Sequence, residues 1–236
     1  MFYATSARPP RLLPFFSFAG TLSAALVFAA LAGCTKNAAK SSTDASSSAT
    51  DASPGKGSNS TPNLETPSVR IETSAGPITV KLDGIQAPGT VRNFLNYVND
   101  KFYDNTIVHY VDPSKLILAG GYNADRTPKP SPIPIRSEAH NGLKNVRGTI
   151  AMTRDPDQID SATSQFFINL TDAPQRDHTG DTADKYGYCV FGRVTEGLEV
   201  ADKISQSPTA DKGGDLTKTP DPPVVIKSIR VVESSR

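Results

Sequence analysis

From about residue 69 onward, the chain is dominated by short runs in which apolar and polar residues alternate. A period of two is typical of β-strands that bury one face, and clusters of Gly, Pro, Asn and Asp between the runs predict turns. Gly120-Gly121 is one such predicted turn. The pattern predicts strands at 69–72, 78–82, 106–111, 116–118, 148–154, 165–170, 188–194 and 224–232.

Two segments have helical periodicity instead. Pro88 stands where a first helical residue is expected, and apolar residues follow it at spacings of three and four. These apolar residues are Val91, Phe94, Leu95 and Val98. A second, shorter helix is predicted at 198–204. Many short strands with two helices predict a mainly β fold, a closed antiparallel barrel with helices over its ends.

The stretch 148–170 combines two of the predicted strands with a polar loop. Gln165 places an amide at the start of an apolar strand and is followed by Phe166 and Phe167. Successive side chains of a strand point to opposite faces. We therefore expect Phe166 to fill the interior and Phe167 to floor an outward pocket, where an aromatic ring beside an amide suits a ring-shaped side chain such as proline.

The N-terminal 33 residues have the order of a secretory signal. Two arginines and no acidic residue precede an apolar run from 12 to 32, and small residues close it. The ending Leu-Ala-Gly-Cys resembles the bacterial lipoprotein signal, which implies that residues 1–33 are removed and that Cys34 is lipidated. The alternative is an uncleaved transmembrane anchor, since the run is nearly long enough to span a bilayer.

Residues 35–67 are expected to form a disordered tether after Cys34. Ser, Thr and Ala make up 18 of these 33 residues, and Leu64 is the one large aliphatic side chain among them. Such a segment cannot bury enough apolar area to offset the entropy of ordering the chain. The folded domain is therefore expected to span 68–234.

The charge balance and the cysteine and histidine patterns exclude several classes of function. The chain has 25 Lys+Arg against 24 Asp+Glu without a basic stripe, which argues against a nucleic-acid partner. Its two cysteines lie in unrelated regions, so no structural disulfide is expected. The three histidines lack the spacing of metal ligands, so we expect neither a metal nor a cofactor.

The residues after the tether resemble the cyclophilin-type peptidyl-prolyl isomerases over about 68–234. The matching motifs are, in family order, Asn93-Phe94-Leu95, 102–107, Gly120-Gly121, Asn141-Gly142-Leu143, Ser164-Gln165-Phe166-Phe167-Ile168, 187–192 and 200–204. The resemblance implies an eight-stranded antiparallel barrel capped by two helices, with a ligand groove on its outer wall. It also implies isomerisation of X-Pro bonds.

The chain departs from this family where catalysis takes place. The family's Phe-His-Arg-Val strand reads Val108-His109-Tyr110-Val111, so that Tyr110 stands in place of the arginine that donates toward the imide nitrogen. A phenol donates one hydrogen bond and carries no charge. With a one-residue insertion assumed at 112–115, the family's glutamine in Phe-Met-Ile-Gln-Gly-Gly becomes Ala119. Arg154 and Arg176 are candidate substitute donors.

The resemblance assigns roles to further residues of this sequence. Those assigned to catalysis are His109, Tyr110, Gln165 and Phe167. Those assigned to substrate binding are Leu116, Ile117, Ala119, Met152, Thr153, Arg154 and Tyr188.

Two functions are consistent with these observations. One is a proline isomerase acting on exported or unfolded chains, held at the cell envelope by its lipid anchor and facing the periplasm or exterior. The other is a tethered module or chaperone on the same scaffold that binds proline-containing polypeptides without efficient turnover. We expect a monomer in either case.

Overall fold

A computed structural model describes residues 66–131 and 133–232. The predicted signal, Cys34 and the tether up to residue 65 lie outside the described residues. The described helices are too short or too polar to cross a bilayer.

Eight strands close into an antiparallel barrel in the order β1–β10–β3–β4–β6–β5–β7–β2. The barrel strands are β1 (Ser68–Thr73), β2 (Gly76–Leu82), β3 (Thr106–Asp112), β4 (Leu116–Asn123), β5 (Thr149–Met152), β6 (Phe166–Asn169), β7 (Val190–Glu196) and β10 (Val225–Val232). A two-residue pair, β8 (Thr209–Ala210) and β9 (Thr219–Pro220), lies outside the barrel sheet. The predicted fold class is confirmed.

The two helices are α1 (Pro88–Asn99) and α2 (Leu198–Ser205). Pro88 begins α1, where its missing N–H leaves no unsatisfied donor. The next two backbone N–H groups of the helix donate to the Glu138 carboxylate, that of Gly89 at 3.0 Å and that of Thr90 at 2.8 Å. A carboxylate from a distant loop therefore fixes where α1 begins.

The barrel interior is filled by aromatic rings. Phe166 meets Phe94 of α1 edge-on, with ring centroids 5.6 Å apart, and Tyr103 edge-on at 5.5 Å. Phe94 also contacts Phe191 of β7 at 5.2 Å. These rings are almost completely buried, and edge-to-face pairs add stabilisation beyond the area they bury.

The predicted turn at Gly120-Gly121 is instead part of β4. Gly120 has a left-handed backbone with φ of 88°, and an added Cβ would lie 2.9 Å from both the Ser164 carbonyl oxygen and the Tyr103 ring. Glycine thus allows β4 to continue where the Ser164 backbone and the Tyr103 ring come too close for a side chain.

Phe166 and Phe167 lie on opposite faces of β6, as predicted. Phe166 belongs to the interior core, whereas Phe167 packs on the outer wall with Ala151 and Val190. Phe166→Ala should therefore lower the free energy of unfolding by roughly 3–5 kcal/mol, and Phe167→Ala by less, because fewer core residues lose a neighbour. Urea denaturation of the two variants measures the difference, and equal losses would contradict this assignment of faces.

Candidate active site

Gln165 lies immediately before β6, and hydrogen bonds of the buried residue Ser164 fix its position. The Ser164 hydroxyl donates to the Gly120 carbonyl at 2.9 Å, and the Ser164 carbonyl accepts from the Tyr103 hydroxyl at 2.8 Å. The Gln165 carbonyl accepts the Thr153 N–H at 3.0 Å. The backbone of Gln165 is thus fixed from both sides, while its side chain stays half-buried.

Gly121 provides the space in which the Gln165 amide lies. An added Cβ at Gly121 would stand 2.6 Å from the Gln165 amide carbon, closer than any ordinary contact. The two glycines therefore serve different purposes: Gly120 admits the Ser164 backbone and the Tyr103 ring, and Gly121 admits the glutamine side chain.

These elements border a groove of about 800 Å³ on the outer wall, which we call the Gln165 groove. It brings together six of the predicted site residues, and a short 3-10 turn, Gly214–Leu216, lies along one side. The predicted residues that line it are His109, Tyr110, Thr153, Arg154, Gln165 and Tyr188.

Phe167 lies beside this groove in an apolar cluster on the outer wall, and its ring is only 3% exposed. The outer apolar cluster consists of Ala151, Phe167 and Val190 with Leu116, Leu118, Leu143 and Tyr188. The Tyr188 ring stands edge-on to Phe167, with centroids 5.6 Å apart. Phe167 therefore supports the wall from beneath Leu118 and Tyr188, both of which line the groove.

Four predicted substrate contacts lie on β4 and β5, and the structure corrects three of them. Ile117, Ala119 and Met152 are at most 4% exposed and belong to the interior core. Leu116 alone faces the outer apolar cluster. The alternation of faces along each strand produces this division.

Leu118 lines the groove but is not among the predicted site residues. It pairs with Tyr110 across β3 and β4 and lines the groove beside it. Without the assumed insertion, the family's glutamine aligns with Leu118 and Ala119 takes a glycine position. The face that Leu118 presents agrees with this ungapped alignment, which needs no insertion at 112–115.

Arg154 acts as a clamp between two loops. Its guanidinium donates to the carbonyls of Gly187 at 2.7 Å, Ala183 at 2.5 Å, Asp155 at 2.8 Å and Pro156 at 3.0 Å. The same group lies 5.3 Å from the centroid of the Tyr188 ring. With its donors directed at backbone carbonyls, Arg154 orders the groove wall and is poorly suited to donate to a substrate.

Arg176 is placed differently, over the Phe167 ring at 5.5 Å from its centroid. One guanidinium nitrogen donates to the side-chain Oδ1 of Asn169 at 3.2 Å. Asn169 is fully buried, and its amide nitrogen donates to Asn145 and Thr149. The strand signal alone could not reveal this network, which holds a guanidinium against the outer apolar cluster.

Tyr110 is half-buried and lies close to a cation. The Lys218 ammonium stands 5.6 Å from the centroid of the Tyr110 ring and 3.7 Å from the Asp112 carboxylate. A positive charge thus lies next to Tyr110. The one hydrogen-bond donor on the Tyr110 side chain is its hydroxyl.

His109 lies at the edge of the groove with its ring buried, 1% exposed. Neither ring nitrogen makes a hydrogen bond of normal geometry within the described residues. Burial lowers the pKa of His109 to about 4, against the opposing effects of the Ile107 carbonyl, Asp215 and Gln165. The imidazole is therefore neutral at physiological pH and packs 4.8 Å from the Tyr122 ring.

Cys189 behaves as a buried apolar residue. Its thiol lies 3.4 Å from the Thr90 hydroxyl, and burial raises its pKa to about 11. Within residues 66–131 and 133–232, no group of three His, Cys, Asp or Glu side chains is arranged to hold a metal.

A closed eight-stranded barrel with an outer groove edged by an amide and aromatic side chains defines the class of the cyclophilin-type isomerases. Residues 68–231 match the family described as "Cyclophilin type peptidyl-prolyl cis-trans isomerase/CLD". The chain belongs to this family, and it is an isomerase of that type.

Relatives from bacteria are similar over the same region. The chain is 46% identical over 165 residues to peptidyl-prolyl cis-trans isomerase A of Dickeya dadantii (strain 3937), covering 70% of this chain and 84% of that protein. It is 41% identical to peptidyl-prolyl cis-trans isomerase B of Escherichia coli (strain K12), covering 70% and 99%.

A solved structure is also similar, a cyclophilin type peptidyl-prolyl cis-trans isomerase of Cryptosporidium parvum in the presence of the dipeptide Ala-Pro. It is 25% identical, with a TM-score of 0.56, and the match covers 71% of this chain and 99% of that one.

The buried His109 predicts a pH dependence of stability. The pKa of His109 falls from 6.5 in the unfolded chain to about 4 in the fold, so between these pH values the unfolded chain binds a proton that the fold does not. The free energy of unfolding therefore decreases by about 3 kcal/mol as the pH falls from 6.5 to 4.

Urea denaturation of wild type and His109→Gln between pH 7 and pH 4 measures this loss, with the exposed His140→Gln as the matched control. The His109 variant should lose less stability on acidification than the other two proteins. Parallel pH profiles for all three would show that His109 is not the group responsible.

Proposed function

We propose that this chain isomerises X-Pro bonds of exported or unfolded proteins at the cell envelope, with turnover limited by Tyr110. Family membership supports the reaction. The observation that carries the proposal is the Gln165 groove, whose lining brings together Gln165, Tyr110 and Leu118 beside the outer apolar cluster.

The reaction requires binding and polarisation and needs no covalent chemistry. Amide resonance opposes rotation with a barrier of about 18–20 kcal/mol. A catalyst lowers that barrier by seating the proline ring, fixing the flanking carbonyl and offering a donor to the imide nitrogen as its conjugation breaks. Gln165 is suited to fixing the carbonyl, and the cluster around Phe167 is suited to seating the ring.

Two features of the groove favour slow turnover. Tyr110 offers one uncharged donor where the family has a guanidinium, and Leu118 offers none where the family has an amide. These features also favour the second candidate function, a module that binds proline-containing segments without efficient turnover. Arg176 is the remaining candidate for a charged donor.

Location at the envelope rests on the N-terminal sequence. We propose that Cys34 carries the lipid, that the domain faces the periplasm or exterior, and that it works as a monomer. Thr35 is not an acidic retention residue, which favours the outer membrane in a two-membrane cell. At least two acyl chains are needed for stable anchoring.

Tyr110→Arg should raise kcat/KM on an Ala-Pro peptide, because a charged donor at such a position is typically worth on the order of 10²–10³ in rate. Adding Leu118→Gln should raise it further by fixing the carbonyl beside that donor. Tyr110→Phe keeps the ring and removes the hydroxyl, so it should be slower than wild type.

The measurement is the isomerisation rate of one peptide by wild type and the three variants. Ala119→Gln is the matched control, because that side chain would enter the core and should cost stability without raising the rate. Wild-type turnover that is fast and insensitive to every Tyr110 change would disprove the proposed limitation and direct attention to Arg176.

Cys34→Ala should release the protein from membranes washed with high salt and carbonate, and lipid labelling should disappear. Cys189→Ala removes the other thiol of the chain and should leave membrane attachment unchanged. Fractionation followed by immunoblotting distinguishes the two. A Cys34→Ala protein that stays as firmly bound as wild type would mean that residues 12–32 form a transmembrane anchor.

A further inference from the structure

A second groove, of about 430 Å³, lies on the wall formed by β2, β5 and β7. Its lining is mostly apolar and includes Leu143, Val146 and the largely buried Val190. We call it the β2–β7 groove. Concave apolar surfaces of this volume are suited to binding a few side chains of a ligand.

This groove is continuous with the outer apolar cluster. Val190 is a member of that cluster, Leu143 packs against it, and both residues also line the β2–β7 groove. A polypeptide seated at Phe167 therefore has an apolar path around the barrel wall into the second groove.

The rim of the groove carries a pair of like charges on neighbouring strands. Lys81 of β2 and Arg193 of β7 are directly opposite each other in the register, and both are exposed. Like charges at directly opposed positions destabilise a sheet. Neither side chain makes an ion pair with any residue in the described part of the chain.

The remaining charges do not neutralise this pair. Lys144 adds a third cation at the rim and lies 3.7 Å from the Asp177 carboxylate. Asp83 is the one acidic residue that lines the groove, and its carboxylate accepts the Gln86 N–H at 2.9 Å. The rim therefore keeps an excess of positive charge around an apolar floor.

We propose that the β2–β7 groove is a second subsite for the proline-containing polypeptide and that it selects acidic residues flanking the proline. The proposal rests on the proposed function, because the ligand extends from the outer apolar cluster. Charge complementarity identifies the occupant: a segment with apolar side chains for the floor and carboxylates for Lys81 and Arg193. Such carboxylates would also relieve the repulsion between the two cations.

The test uses the full chain and peptides with one Ala-Pro bond. A pair of Glu residues is placed two, four or six positions before or after the proline, and Gln replaces Glu in the control peptides. Calorimetry gives the Kd, and an isomerisation assay gives KM and kcat. At least one Glu peptide should bind roughly 2- to 30-fold more tightly than its Gln control, since two exposed ion pairs form.

Charge reversal locates the effect. Lys81→Glu with Arg193→Glu should abolish the preference for Glu and leave the affinity for a short Ala-Pro peptide unchanged. The control, Arg92→Glu with Lys227→Glu, makes the same change in net charge at exposed positions away from the groove and should keep the preference. Raising the salt concentration should weaken the preference in wild type.

Three results would overturn the proposal. The first is equal affinity for Glu and Gln peptides, and the second is a preference for Glu that survives charge reversal at Lys81 and Arg193. The third is that the Cys34→Ala protein binds phosphatidylglycerol vesicles in a charge-sensitive way but shows no preference between Glu and Gln peptides. Failure of the proposed function looks different, because binding would still discriminate Glu from Gln while no peptide isomerised above the spontaneous rate.

Discussion

The register of β6 is the constraint on which the rest of the structure depends. Phe166 is locked into the interior by edge-on contacts with Phe94 and Tyr103. A slip of one residue would exchange the faces of every side chain on this strand. Phe167 would then enter the core, and the outer wall would lose the ring that supports Leu118 and Tyr188. One packed aromatic cluster thus determines which residues can face a ligand.

The close packing at Gly120 and Gly121 depends on the same register, because it places the Ser164 backbone and the Gln165 amide against these two glycines. The arginines nearby serve other purposes: Arg154 ties loops together through backbone carbonyls, and Arg176 lies over Phe167. The Gln165 groove is thus bordered by charges of both signs, from Arg154, Asp155 and Asp215, whereas Tyr110 and Leu118 in its lining are uncharged.

The sequence predicted the strands, both helices and the opposite faces of Phe166 and Phe167, because periods of two and 3.6 follow directly from which side is buried. The errors in the predicted site residues arose where an alignment with the family motif, and not the strand period, assigned a residue to the groove. Ala119 and Ile117 were assigned to the groove by assuming an insertion, although strand alternation alone leads from Tyr110 to its partner Leu118. The network of Asn145, Asn169 and Arg176 could not be predicted, since its members meet only when distant loops fold together.

The two proposals bear on different kinetic constants. Affinity gained in the β2–β7 groove is equal for the ground state and the transition state, because Lys81 and Arg193 lie away from the imide bond. Uniform binding of this kind lowers KM and leaves kcat unchanged. It cannot replace a charged donor at Tyr110. It does raise kcat/KM for acidic substrates, and this constant governs the rate when a substrate is scarce. With the slow turnover and membrane anchor proposed above, the protein would gain from selecting its substrates by charge as long as their concentration stays below KM.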